Sequence, residues 1–136
     1  MTEQQGYTKE LMKRFKNPKY VKKLKNPDAE GEVGNMRCGD IMHLELKIDE
    51  KTKKIKDIGF QTFGCPAAVA SSDVVCELAK GKTIEEAKKL GKDDVVKKLK
   101  GMPLIKVHCS VLGIEALNKA IGNYEDKEKR KNGKTD

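Results

Sequence analysis

Ile41-Met-His-Leu-Glu-Leu-Lys-Ile48, then a polar turn, then Ile55-Lys-Asp-Ile-Gly-Phe-Gln-Thr-Phe63 and Gly64-Cys-Pro-Ala-Ala-Val-Ala-Ser-Ser72 carry a change of hydrophobic period that decides the fold. In the first segment Met42, Leu44, Leu46 and Ile48 alternate with His43, Glu45 and Lys47, the period of two of a half-buried strand. Asp49 to Thr52 reads as the turn. Ile58, Phe60 and Thr62 or Phe63 give the second segment its apolar residues, so the pair predicts an antiparallel hairpin, joined by a strand over about 31–36. After Cys65 the period becomes helical. Ala68, Val69, Ser72, Val75, Cys76 and Ala79 fall on one stripe, Pro66 suits the first helical position, and Gly81 supplies the stop.

Outward from this centre, residues 8–15 read as a short basic helix with Leu11, Met12 and Phe15 on one side and Asn17-Pro18 as its end. Downstream, Thr83 and Glu86 form a capping box that opens a helix over 83–90, and a further short helix spans 92–99. An extended, Pro-containing linker is expected over 102–107. A longer helix over 110–124 carries Val111, Leu112, Ile114, Leu117, Ala120 and Ile121. Residues 1–124 are expected to form a single domain, with 1–25 a basic, partly mobile N-terminal segment and 125–136 a charged, disordered tail.

The chain has 136 residues, enough for one domain with its own core. No apolar stretch approaches the roughly 18 to 20 residues of a spanning helix, and no leader pattern opens the chain, so a cytoplasmic protein without membrane association is expected. The net charge of +8 invites a nucleic-acid reading. Eight basic residues lie between Lys9 and Lys25 against Glu10 alone, but aromatics make up only 4% and no binding motif is present. Nucleic acid is therefore disfavoured, and a lysine-rich solvated face or a docking surface for an acidic protein partner is the better reading.

Four cysteines in a reducing compartment point to metal or thiol chemistry rather than disulfides. Cys38, Cys65, Cys76 and Cys109 are separated by 27, 11 and 33 positions, without a Cys-x-x-Cys pair, so any joint site must be assembled by the tertiary fold. Cys65 and Cys109 each precede an expected helix start, where the helix dipole and free backbone N–H groups favour thiolate. Cys38-Gly39-Asp40 places a thiol and a carboxylate about a tight bend. His108-Cys109 sets an imidazole beside a thiol, with Lys106 two residues earlier. Together Cys38, Asp40, Cys65, His108 and Cys109 offer three sulfur ligands and a choice of oxygen or nitrogen for the fourth, a set suited to an iron-sulfur cluster or zinc. An Asp ligand would hold a cluster less firmly than a fourth thiolate. Cys76, on the apolar stripe, reads as core, and His43, on the polar side of its strand, as an exposed, non-catalytic residue.

With these segments in order, Tyr7-Thr-Lys-Glu-Leu11, Asn17-Pro18, Gly31-Glu-Val-Gly34, Cys38-Gly-Asp40, Phe60-Gln-Thr-Phe-Gly-Cys65, Ala70-Ser-Ser72 and Lys106-Val-His-Cys-Ser110, the chain resembles the U-type iron-sulfur cluster assembly scaffolds, IscU and the N-terminal domain of NifU. The resemblance implies an α+β fold, a three-stranded antiparallel sheet packed with about five helices. It implies Cys38, Cys65 and Cys109 as cluster thiolates, Asp40 and His108 as alternative fourth ligands, and Lys106 as an assisting residue. It further implies a non-enzymatic scaffold for a labile [2Fe-2S] cluster. A cysteine desulfurase would deliver persulfide sulfur to Cys109, iron and an electron donor would complete the cluster, and apo iron-sulfur proteins would receive it. An Hsp70-type chaperone reads a Leu-Pro-Pro-Val-Lys segment in the family, and here Met102-Pro-Leu-Ile-Lys106 stands in its place. A homodimer is one candidate state. The alternative function is a zinc-containing sulfur acceptor that partners a desulfurase without building a cluster.

Overall fold

The computed structural model describes residues 8–35, 40–63, 66–101 and 107–133. In chain order these form α1 (Lys9–Lys16), β1 (Ala29–Asn35), β2 (Asp40–Ile48), β3 (Ile55–Phe63), α2 (Pro66–Ala79), α3 (Ile84–Ala87), α4 (Lys92–Lys98) and α5 (Val107–Gly133). The three strands make one antiparallel sheet in the order β1-β2-β3. The expected α+β architecture, with three strands and five helices, is therefore what the chain adopts.

The alternation in β2 sorts its side chains by face. Met42, Leu44, Leu46 and Ile48 are buried, joined from β3 by Ile58 and Phe60, and α2 and α5 cover that face. The polar side carries Ile41, His43, Glu45 and Lys47. α2 is buried over most of its circumference, including Ala67, Ala68, Ala70, Val74, Val75, Cys76 and Ala79, because α1, α5 and the sheet all pack against it. The expected capping box is present: Thr83 Oγ1 accepts from the Glu86 N–H, and the Glu86 carboxylate accepts from the Thr83 N–H.

From Thr8 onward the basic N-terminal segment is tied to the rest of the fold. Thr8 caps α1, its Oγ1 accepting from the Leu11 N–H and donating to the Leu99 carbonyl at 2.6 Å. Arg14 pairs with Asp73 and Glu77 of α2. Asp73, fully buried, also accepts the Lys19 and Tyr20 backbone N–H groups at 2.8 and 2.7 Å. A buried carboxylate needs such partners, and it finds them only when this segment is in place. Tyr20 then accepts from the Phe60 N–H, tying the segment to the free edge of β3.

α5 departs further from expectation. It begins at Val107 and continues to Gly133, so that His108 and Cys109 lie in its first turn and most of the expected disordered tail is helical. Charged residues that look solvated in sequence have partners elsewhere in the fold: Lys88, at the end of α3, with Glu125, Lys53 with Glu128 and the Tyr124 hydroxyl, and Lys127 with the Asp28 carbonyl. Packing against β1 supports the helix, and Glu, Lys and Arg, which make up most of the stretch after Tyr124, are good helix formers.

Candidate functional site

Strand register places three chain segments at one end of the sheet. Asn35 pairs with Asp40, and the next residue of β2, Ile41, pairs with Phe63, so β1 ends, β2 begins and β3 ends side by side. α2 starts three residues after Phe63 and runs back along the sheet, since its exit at Gly81 and Lys82 hydrogen-bonds Ile55 at the start of β3. Its N-terminus therefore lies at the same end.

α5 runs antiparallel to β1. Lys127 reaches the Asp28 carbonyl and Asn123 the Glu30 carbonyl, while Gly31 faces Ala116 and Ala120. From that contact, about 13 to 20 Å along α5 to Val107 compares with about 13 Å along β1 to Asn35, so the first turn of α5 reaches the end of the strand. The helices agree with each other as well. Gly113 of α5 crosses α2 at Ser72 and Val75, six residues into each helix, about 9 Å below both N-termini. Ser72 Oγ, at this crossing, is buried without a hydrogen-bond partner.

Two glycines set these approaches. A Cβ on Gly31 would lie 2.5 Å from the Ala116 carbonyl oxygen and the Ala120 nitrogen, both backbone atoms of α5. A Cβ on Gly59 would lie 2.5 Å from the Lys22 carbonyl oxygen, so Gly59 admits the N-terminal segment over the polar face of the sheet.

The expected ligands fall in these connections. Cys38, Cys65 and Lys106 lie outside the described residues, and Asp40, His108 and Cys109 are described by their backbone alone, as the first residue of β2 and the first turn of α5. The segments that carry these positions are thus bordered by elements meeting at one end of the sheet, the end towards which α2 and α5 both point their N-termini. That end suits thiolates, because helix N-termini present positive dipole ends and unpaired N–H groups. Cys76 is the opposite case. It is fully buried in α2, and burial, with the nearby Asp73 charge, pushes its thiol well above the usual range. It is a core residue, as the apolar stripe predicts.

A second group of chemistry-bearing side chains escaped the sequence reading. On the polar face of β1 and β2, His43 Nδ1 lies 3.2 Å from Glu32, and His43 Nε2 lies 3.1 Å from Glu45 and 3.3 Å from Glu30. His43 is therefore half-buried among three carboxylates rather than simply exposed. The signal that finds it is strand register: Glu32 pairs with His43 and Glu30 with Glu45.

The model of the NifU-like N terminal domain family matches residues 6–131, and the chain belongs to that family. Among its relatives, two iron-sulfur cluster assembly scaffold proteins IscU of Archaeoglobus fulgidus are each 48% identical over 130 residues, covering 96% of this chain and 81% of theirs. The iron-sulfur cluster assembly enzyme IscU of Drosophila melanogaster is 41% identical over 128 residues, with 92% and 82% covered. The nitrogen fixation protein NifU of Azotobacter chroococcum is 41% identical over 124 residues, 91% of this chain but 40% of that longer protein. Among solved structures, the N-terminal NifU-like protein of Brucella abortus superposes with a TM-score of 0.74 at 20% identity, covering 88% of this chain and 94% of that one, a likeness of fold. No helix among the described residues is long and apolar enough to cross a membrane.

Proposed function

We propose that this protein is a scaffold on which a labile [2Fe-2S] cluster is built from iron and desulfurase-derived persulfide sulfur, then passed to apo-proteins. The observation that carries this reading is the meeting, at one end of the sheet, of the elements bordering positions 38, 65 and 109 in a chain of this family. The naming of its relatives as assembly scaffolds supports it. The chain acts as a carrier rather than an enzyme, although the Drosophila relative bears the name of an assembly enzyme.

The cluster is cargo. Cys38, Cys65 and Cys109 supply soft thiolate ligands, and Asp40 or His108 the fourth, harder one. Cys109 accepts the sulfane sulfur: its thiolate attacks the terminal sulfur of a desulfurase persulfide, forming a Cys109 persulfide and releasing the desulfurase thiolate. Reduction of that persulfide to sulfide needs electrons from a separate donor. Lys106 assists by its charge near the site. The place of action is the cytoplasm.

The test compares cluster lifetime after anaerobic reconstitution with desulfurase, cysteine, iron and reductant. Asp40→Ala is expected to retain its cluster longer than the wild type under a chelator challenge, whereas Cys→Ala at 38, 65 or 109 abolishes stable assembly. Faster cluster loss from Asp40→Ala would remove the labilising role of Asp40. Full assembly by all three cysteine variants would overturn the scaffold reading.

A further inference from the structure

The polar face of β1 and β2 carries an arrangement that the scaffold reading does not use. Glu30, His43 and Glu45 each offer one ligand atom within 4.8 Å of the others. We propose that these three residues form a binding site for a divalent first-row transition cation of the Mn2+ or Fe2+ kind, separate from the cysteine-bearing end of the sheet.

Several features support it. The donors are one imidazole nitrogen and two carboxylates, a mixed hard and borderline set that suits such cations better than thiolate-preferring ones. Glu45 is buried although charged, 6% exposed, and its Oε1 is held by the Leu24 N–H at 2.8 Å, which leaves Oε2 directed at His43 Nε2. Such a carboxylate is costly to bury unless a positive charge stands against it. Among the described residues neither Lys nor Arg pairs with Glu30, Glu32 or Glu45, even though Lys23 lines the same concavity and the chain carries a net charge of +8.

Register sharpens the argument. Glu30 and Glu45 are directly opposite across β1 and β2, where like charges destabilise a sheet. A cation between them converts that repulsion into two bonds. Glu32 completes the arrangement from the other side of the ring: its carboxylate lies 3.2 Å from Nδ1, so that with a cation on Nε2, between Glu30 and Glu45, Glu32 accepts the Nδ1 proton. This is the carboxylate–histidine–metal geometry in which an outer carboxylate fixes the tautomer and raises the basicity of the ligand. Ile41, Val21 and Gln61 complete the walls of an open concavity, so a hydrated ion has access.

The test uses Mn2+ alone, followed by the loss of its free-ion EPR signal, on the full chain kept reduced. The wild type is expected to bind one tight equivalent. Glu30→Gln, at an exposed side chain, and His43→Gln each weaken it at least about tenfold, with unchanged thermal melting when metal is absent. Cys109→Ser binds as the wild type does, which separates this site from the cysteine site. The proposal is overturned if Mn2+ binding is not saturable, if Glu30→Gln and His43→Gln bind like the wild type, or if Cys109→Ser abolishes binding. None of these results depends on cluster assembly.

Discussion

Asp73 shows how one side chain holds a whole segment. It is fully buried in α2 and compensated by Arg14 and by two backbone N–H groups from residues 19 and 20. Removing it leaves the Arg14 charge short of a partner and two donors unmet, so Asp73→Ala is expected to cost about 3 kcal/mol in chemical denaturation; a loss below about 1 kcal/mol would contradict this account of docking. Glu77, beside it, adds a pH dependence. Burial raises its pKa, but the Arg14 hydrogen bond and the charges of Arg14 and Lys98 outweigh that, and the net shift is downward from 4.5. A carboxylate depressed on folding contributes stability that is complete above its unfolded value and lost as pH falls through its lower folded value. Glu77→Gln should therefore flatten the loss of stability below pH 4.5 and leave its pH dependence nearer neutrality unchanged, as read from melting temperature against pH. At this scale the sequence was only partly legible. Cys76 declared itself as core by its place on an apolar stripe. The His43 cluster did not, because its partners are 2, 11 and 13 positions away and meet only through the register of β1 on β2.

At the scale of elements, α5 is placed by what its neighbours lack. Gly31→Ala puts a methyl group 2.5 Å from α5 backbone atoms, which cannot rotate away as a side chain end would. We expect a loss of about 2 kcal/mol or more from the forced separation, together with impaired cluster assembly, because the first turn of α5 carries positions 108 and 109. Gly122, in the same helix, meets nothing within 4 Å. There Gly→Ala should stabilise by up to about 1 kcal/mol through helix propensity alone. Equal effects at the two positions, in denaturation, would show that close approach does not set the helix position. The period-two and helical patterns around β2, β3 and α2 were legible because burial is one-sided there, and Pro66 marked the start of α2. The extent of α5 was not: its last three turns are held by Lys53, Lys88 and Lys127 reaching across from or onto other elements, contacts that leave no periodic trace in the sequence.

For the whole molecule, the antiparallel sheet and two helices running in the same sense bring distant chain segments to one end. Positions 38, 65 and 109, dozens of residues apart in sequence, are thereby flanked by or lie within elements that meet at this end. The candidate ligand set rests on residue types and order, whereas the meeting of the elements that flank those positions depends on Gly31, Gly113 and strand register, none of which a motif records. The central claim is that this end of the fold assembles an iron-sulfur cluster. The most direct test is anaerobic purification, followed on the same sample by a visible absorption spectrum and iron, acid-labile sulfide and zinc analysis, then by reconstitution with desulfurase, cysteine, iron and reductant. The account predicts thiolate-to-iron absorption with iron and sulfide in equal amounts, on purification or after reconstitution. A colourless protein that holds one zinc and gains neither iron nor sulfide on reconstitution would contradict it and favour the zinc-containing sulfur acceptor instead.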